Sequence, residues 1–560
     1  MSVEKNYITA YFNTPLQGLR GRSEGNIEIS ALQWSVYRQE WMLESPEYEA
    51  GMPNAEPRNS EPENELQNQS VSLVANSTED ISPADTVSPK RPKKMQLKRE
   101  LGLFSAVNLI VGVMIGSGIF VSPASALERS GSVGLCLVIW AVCGTISLFG
   151  ALAFAELGTV VPRSGAEYAY FQEAYGGLHR FWGPLPSFIC SWVYVLILRP
   201  AEVAVIILTF SEYICQPFAY DIGHMPPEYQ ETVKKMIAIL GLGLLTFINF
   251  ISVKLYVHVQ NVFGFCKLFA CLVVIIGGLY ELCTGNTENL TQGFEGSTTS
   301  PKNLALAFYS GLWAFDGWWV PEKVINIPRS IMLAVPLVTA VYFMMNLAYM
   351  TVLTIPEMIS APAVAVVFGD RILGVMNFII PLGVALSTFG CALSIQFSVT
   401  RLCYVAGREG HMIEVFSYIH IRRLTPAPAV VSQGLLAFLF IISGDITTLI
   451  DFASFLIWIF YGAAMVALIL MRRTKKDVKR PYKVPLWIPL FIIFIALFLC
   501  LVPVITDPSP RYFFALLFIV IGIAVYIPLV YYRYRPQWME KFTYFVQVLM
   551  EVVPSEQSMD

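Results

Sequence analysis

Apolar runs of about twenty residues recur from Leu101 to Tyr532, separated by short polar connections, and residues 1–90 hold none. Each run is near the length a helix needs to cross the hydrocarbon core of a bilayer. The pattern predicts about twelve transmembrane helices, beginning near residues 102, 133, 182, 235, 259, 303, 331, 373, 428, 446, 485 and 510. In lipid only helices and closed barrels satisfy their own backbone groups, so the expected fold is an all-α membrane protein.

Two of these runs are interrupted. The first carries Ile115-Gly116-Ser117-Gly118-Ile119-Phe120. Glycines flanking a serine weaken a helix through backbone entropy and lost packing. An unwound turn in hydrocarbon persists only where a cavity or a ligand satisfies the exposed N–H and C=O groups. The half-helix that follows then offers its first amides to an anion. Taken alone, the stretch also fits a small-residue packing motif between helices. The sixth run holds a second interruption, Trp313-Ala314-Phe315-Asp316-Gly317-Trp318-Trp319. An aspartate inside a span faces the bundle interior and attracts a cation, whether a substrate ammonium, a basic side chain or a proton. The competing role for Asp316 is a structural partner of a hydroxyl or amide. The interruptions lie five spans apart, the spacing of a 5+5 inverted repeat with broken helices 1 and 6 and a ligand site between the breaks.

Composition and charge refine this picture. The chain is 55% hydrophobic and 14% charged, which excludes an ordinary soluble domain. Residues 1–95 are polar and rich in Glu, Ser, Asn and Pro, and are expected to form a disordered tail. Residues 96–535 form the membrane domain and residues 536–560 a second tail. No secretory signal precedes the first span. The basic run Lys90, Arg91, Lys93, Lys94, Lys98 and Arg99 adjoins the first span, and the even-numbered connections carry Arg163, Arg180, Lys323, Arg329, Arg408 and the Arg472 to Lys483 cluster. By the positive-inside rule both termini are cytoplasmic. The ten cysteines show no Cys-x-x-Cys spacing and read as small buried hydrophobes. No metal, cofactor or nucleic-acid partner is expected.

Three further charges lie within spans. Arg199 and Glu202, three apart around Pro200, can pair on one helix face. Lys267 sits well inside the fifth run, where an internal cation competes with a snorkelling one. The run Val111-Gly112-Val113-Met114-Ile115-Gly116-Ser117-Gly118-Ile119-Phe120, with Phe154-Ala155-Glu156-Leu157-Gly158 and Ala406-Gly407-Arg408-Glu409-Gly410-His411, resembles the light chains of heteromeric amino-acid transporters. Phe210-Ser211-Glu212-Tyr213 and Trp313-Ala314-Phe315-Asp316-Gly317-Trp318 are most similar to the broad-specificity branch, which exchanges dibasic amino acids and cystine for neutral ones.

The resemblance implies a plasma-membrane, sodium-independent antiporter of dibasic and neutral L-amino acids, and of cystine, working by alternating access and not an enzyme. It implies that the amides of Ser117, Gly118 and Ile119 bind the substrate carboxylate. Carbonyls of Ile115 and of the Trp313, Ala314 and Phe315 turn would take its ammonium. Asp316 would face a dibasic side chain, Trp313 would act as a gate, and Lys267 would stand where related transporters bind sodium.

There are three departures from the family pattern. The loop 218–227 lacks the cysteine that the family uses to hold its heavy chain, so a glycoprotein heavy chain would be bound non-covalently. The segment after Trp319 is shorter by roughly two helical turns, with Lys323 where an acid is usual. Glu202 stands at a position usually small or hydroxylic, marking Arg199 and Glu202 as residues of substrate range. A neutral or aromatic-preferring exchanger, and a non-transporting homologue that senses amino acids, are the alternative readings.

Overall fold

The computed structural model describes residues 103–163, 165–218, 222–317 and 327–554, all within the unit Gln96–Asp560. Expectations for the 1–95 tail, the basic run before the first span, and residues 318–326 lie outside the described residues. The chain is helical almost throughout. Helices α1 (Leu103–Met114), α2 (Gly118–Ser130), α3 (Val133–Val160) and a short α4 (Glu167–Tyr175) lead into α5 (Leu185–Phe218), α6 (Pro227–Ile251) and α7 (Val253–Cys283). Then come α8 (Pro301–Ala314), α9 (Ile327–Val352), α10 (Ile379–Arg408), α11 (Ala427–Ser443), α12 (Ile446–Thr474), α13 (Trp487–Thr506), α14 (Pro510–Tyr531) and α15 (Gln537–Met550).

Among the described residues, nine helices are long and apolar enough to cross a membrane. The other three expected spans differ for identifiable reasons. The first is cut into α1 and α2, and the sixth, α8, ends at Ala314. The ninth, α11, is apolar but only 17 residues long. The outer faces of the bundle are apolar: Phe494 and Ile505 of α13, with Phe513 and Phe514 of α14, are all exposed. A water-facing protein does not tolerate patches of that extent, whereas lipid covers them.

Packing sorts the helices into two groups. Helices α2, α3, α8 and α9 pack against one another, with α1 on α9, while α5, α6, α10 and α11 form the second group. Helix α7 touches α9 of the first group and α10 of the second, and α12 touches α5 and α8. Spans one and two thus sit with six and seven, and spans three and four with eight and nine. The expected C-terminal tail contains more order than its composition implies. Helix α15 leads into a strand, β2 (Val552–Pro554), that pairs antiparallel with β1 (Tyr418–His420) between α10 and α11.

Candidate functional site

The first break is sharp. The last bond of α1 runs from Ile115 N–H to the Val111 carbonyl at 3.0 Å, and α2 begins with Phe120 N–H on the Ser117 carbonyl at 3.0 Å. The amides of Gly118 and Ile119 therefore find no backbone acceptor among the described residues. Those amides are where a helix N-terminus holds an anion. Ile115 and Ile119 are wholly buried, backbone included.

The second break closes more gradually. Phe315 N–H reaches the Leu312 carbonyl at 3.2 Å, and Asp316 N–H reaches that of Trp313 at 3.3 Å, tightening the last turn of α8. Gly317 follows at φ 98°, a left-handed conformation that suits glycine. The two breaks touch. A β-carbon added to Gly118 would lie 2.3 Å from Ala314 Cα, so the glycine is what lets the backbones approach.

One side chain joins them. The hydroxyl of Tyr342, on α9, is 2.8 Å from the Met114 carbonyl and 3.0 Å from that of Ala314. It thereby occupies one acceptor position on Ala314, a carbonyl expected to take the substrate ammonium. Phe315 stacks edge-on to the Tyr342 ring at 4.9 Å and tilts against Trp140 at 6.1 Å. Neither Tyr342 nor Trp140 is distinguishable in the sequence from any other aromatic in an apolar run.

Asp316 sits at the mouth of this junction. Its carboxylate accepts a 2.5 Å bond from the Tyr461 hydroxyl of α12 and lies 3.9 Å from the Arg199 guanidinium. Arg199 is bound more closely by Glu202, at 2.7 Å, so the expected pairing on one face is present. The guanidinium also rests 5.1 Å above the Tyr194 ring. A cleft beside this cluster is lined by Ser147, Gly150, Trp313, Asp316, Trp458 and Tyr461. Trp313 and Asp316 thus share one cavity although the helix between them has ended.

Lys267 is fully buried, and its ammonium donates a 2.6 Å bond to the Gly112 carbonyl in the last turn of α1. This is the negative end of that half-helix dipole. The cation is internal and does not snorkel.

Two ion-pair networks missed by the sequence reading tie α12 to its neighbours. Near its start Asp451 takes both Arg129 nitrogens at 2.8 Å, and Arg129 also reaches Ser310 at 2.9 Å. Near its end Arg472 grips Glu156 at 2.9 and 2.5 Å, and Val484 N–H shares the same carboxylate. Asp451 and Arg472 lie roughly 30 Å apart along α12, with the Asp316 cleft between them. His411, from the Ala406 to His411 motif, is buried 2.9 Å from the Tyr168 hydroxyl, and burial lowers its pKa to about 4. It is a neutral packing residue.

Among the described residues no group of acids, histidines and cysteines is arranged to hold a metal. All ten cysteines are free and most are buried.

Two abutting helix breaks, with bare amides on one side and a carboxylate on the other, thus meet inside a bundle of apolar helices long enough to cross a membrane. The amino acid permease family model matches residues 101–526. Human b(0,+)-type amino acid transporter 1 is 45% identical over 484 residues, covering 84% of this chain and 96% of that one. The human cystine/glutamate transporter is 40% identical over 480 residues, 84% of this chain and 93% of its own. Mouse large neutral amino acids transporter small subunit 2 is 37% identical over 485 residues, 83% and 88% of the two chains. The chain belongs to the amino acid permease family. It is a transporter and not an enzyme, related to the light chains of heteromeric transporters.

Proposed function

We propose that this chain is a sodium-independent exchanger of dibasic and neutral L-amino acids, and of cystine, at the plasma membrane. It works by alternating access through the α1–α2 and α8 breaks, the two halves forming an inverted repeat. Substrate carboxylate lies on the amides of Ser117, Gly118 and Ile119. The ammonium lies on carbonyls of Ile115 and the Trp313 to Phe315 turn. Trp313 gates the cleft, and Lys267 supplies the positive charge that sodium supplies elsewhere.

One observation carries the dibasic assignment: Asp316 keeps charge to spare. Arg199 stands 3.9 Å from it but 2.7 Å from Glu202, so the guanidinium is committed chiefly to the glutamate. A second cation in a site of low effective dielectric needs a counter-ion, and Asp316 is placed to be one. The relatives named for b(0,+)-type and cystine/glutamate transport support the same range. Basic residues of the even-numbered connections support cytoplasmic termini. A heavy-chain partner would be held non-covalently: Cys215, at the outer end of α5, is buried and ill-placed for an intermolecular bridge.

The test is uptake of labelled arginine, leucine, tyrosine and cystine into proteoliposomes preloaded with leucine, in sodium or in choline. Arginine and leucine uptake that needs internal amino acid and ignores sodium supports the reading. Tyrosine or leucine uptake without arginine would instead favour the neutral or aromatic-preferring alternative.

A further inference from the structure

The connection between α12 and α13 holds seven lysines and arginines between residues 472 and 483 against a single acid, Asp477. Carboxylates of neighbouring segments take up part of this charge. Arg472 and Arg480 share Glu156, at 2.5 and 3.6 Å, and Lys475 pairs with Glu173. Arg473, Lys476, Lys479 and Lys483 are exposed and make no ion pair among the described residues. Four free cations, less Asp477, leave three positive charges in surplus.

Part of this charge borders an open cavity of about 500 Å³. Arg472, Arg473 and Lys483 line it together with the apolar Ile469, Pro485 and Leu486. The apolar side continues along both helices. Val466, Ile469 and Arg473 follow at spacings of three and four, which puts them on one face of α12, and Val466 is exposed. Leu486, Trp487 and Leu490, where α13 begins, are exposed as well. They belong to the outer surface that lipid covers. The cavity thus joins a cationic end to a lipid-facing end, which is the outline of a phospholipid.

We propose that this cavity binds a phospholipid whose headgroup carries phosphomonoesters. The phosphates lie on Arg473 and Lys483, and the acyl chains lie against Val466, Leu486 and Leu490. A headgroup with one phosphodiester offsets too little of the surplus. Each phosphomonoester brings about −1.5 to −2, so two of them meet it. The Arg473 guanidinium has the fork that takes a phosphate by two parallel bonds. A soluble inositol phosphate offers the same charges but leaves the apolar wall bare. The positive-inside reading puts the site on the cytoplasmic leaflet, where basic pockets beside membrane spans favour such headgroups. The bound lipid links α12 to the start of α13 and braces the connection whose Arg472 and Val484 hold Glu156 of α3.

The full chain is purified in a non-ionic detergent and titrated with fluorescent short-chain phosphatidylinositol bisphosphate, read by anisotropy. Binding in detergent needs neither transport nor a membrane orientation, so its failure leaves the exchanger reading untouched. The expected result is saturable binding, about tenfold or more tighter than that of phosphatidylserine. Equal affinity for phosphatidylserine would overturn the phosphomonoester assignment. Equal affinity for inositol trisphosphate would overturn the lipid one. Arg473→Gln combined with Lys483→Gln should weaken binding by about 25-fold, roughly fivefold for each cation removed. Both side chains are exposed and unpaired among the described residues, so the double variant keeps its fold. Lys541→Gln, on α15 and not in the cavity lining, should leave binding unchanged. An equal loss in that variant, or none in the double variant, would overturn the placement of the site.

Discussion

Lys267, fully buried, and Arg199, half-buried, are both cations near the helix breaks, yet they are compensated in different ways. The lysine meets a single carbonyl at the C-terminal end of α1 and no carboxylate among the described residues. A helix end offers a partial negative charge that does not titrate or move away. The arginine lies 2.7 Å from Glu202 and 3.9 Å from Asp316, side chains whose pairing can change with what enters the cleft. One cation is therefore a permanent strut under the first break. The other belongs to an adjustable charge reservoir beside the second.

The largest effect that would break this contrast is expected at the strut. Lys267→Ala removes the cation on the Gly112 carbonyl, and leucine uptake into proteoliposomes should fall to the level of empty vesicles. Uptake that survives, or wild-type uptake that depends on sodium against choline, would show that Lys267 is not standing in for an ion. On the reservoir side the effect should be selective. Asp316→Asn should weaken arginine binding by about 2–5 kcal/mol, the scale for truncating one partner of a buried charge pair. Leucine binding should change far less. Equal losses for both substrates would place Asp316 in the framework and not in substrate discrimination.

A smaller change tests whether the two regions move as one. Tyr342→Phe leaves the Met114 and Ala314 carbonyls short of a donor, and should cost about 1–3 kcal/mol in unfolding stability. A thermal-shift series in detergent with and without leucine would show it, and an unchanged midpoint would mean the hydroxyl is dispensable. The smallest effect is expected at Cys215, whose burial predicts no role in assembly. A high-mass band on non-reducing gels that is lost in Cys215→Ser would contradict this.

Most of the scaffold was legible because bilayer thickness imposes a length on each apolar run, and the run starts at 102, 133, 303, 428, 446 and 510 fall close to the helix starts observed. Both breaks were legible because Gly116, Ser117 and Gly118, and Asp316 beside Gly317, contradict a continuous buried helix. The Arg199–Glu202 pair followed from spacing alone. What stayed hidden depends on tertiary approach. Tyr342 and Tyr461 act through partners more than two dozen residues away, and an apolar run does not mark which aromatic will find one. The amphipathic pattern of α15, with Trp538, Phe542, Phe545 and Leu549 along one exposed face, was available and went unread.

Helix α5 contains one turn of π-helix, Tyr194–Leu198, immediately before Arg199. Such a turn houses an extra residue without lengthening the helix by a full step, and so rotates everything beyond it by roughly 100° relative to an unbroken α-helix. Arg199 and Glu202 owe their bearing to that rotation. Removing a single residue from this turn would keep the composition, hydropathy and span of α5 almost intact while turning both charges away from the cleft. The charge map of the site is thus written in the phase of a helix, and a change of phase can redirect it without altering any residue that bears charge.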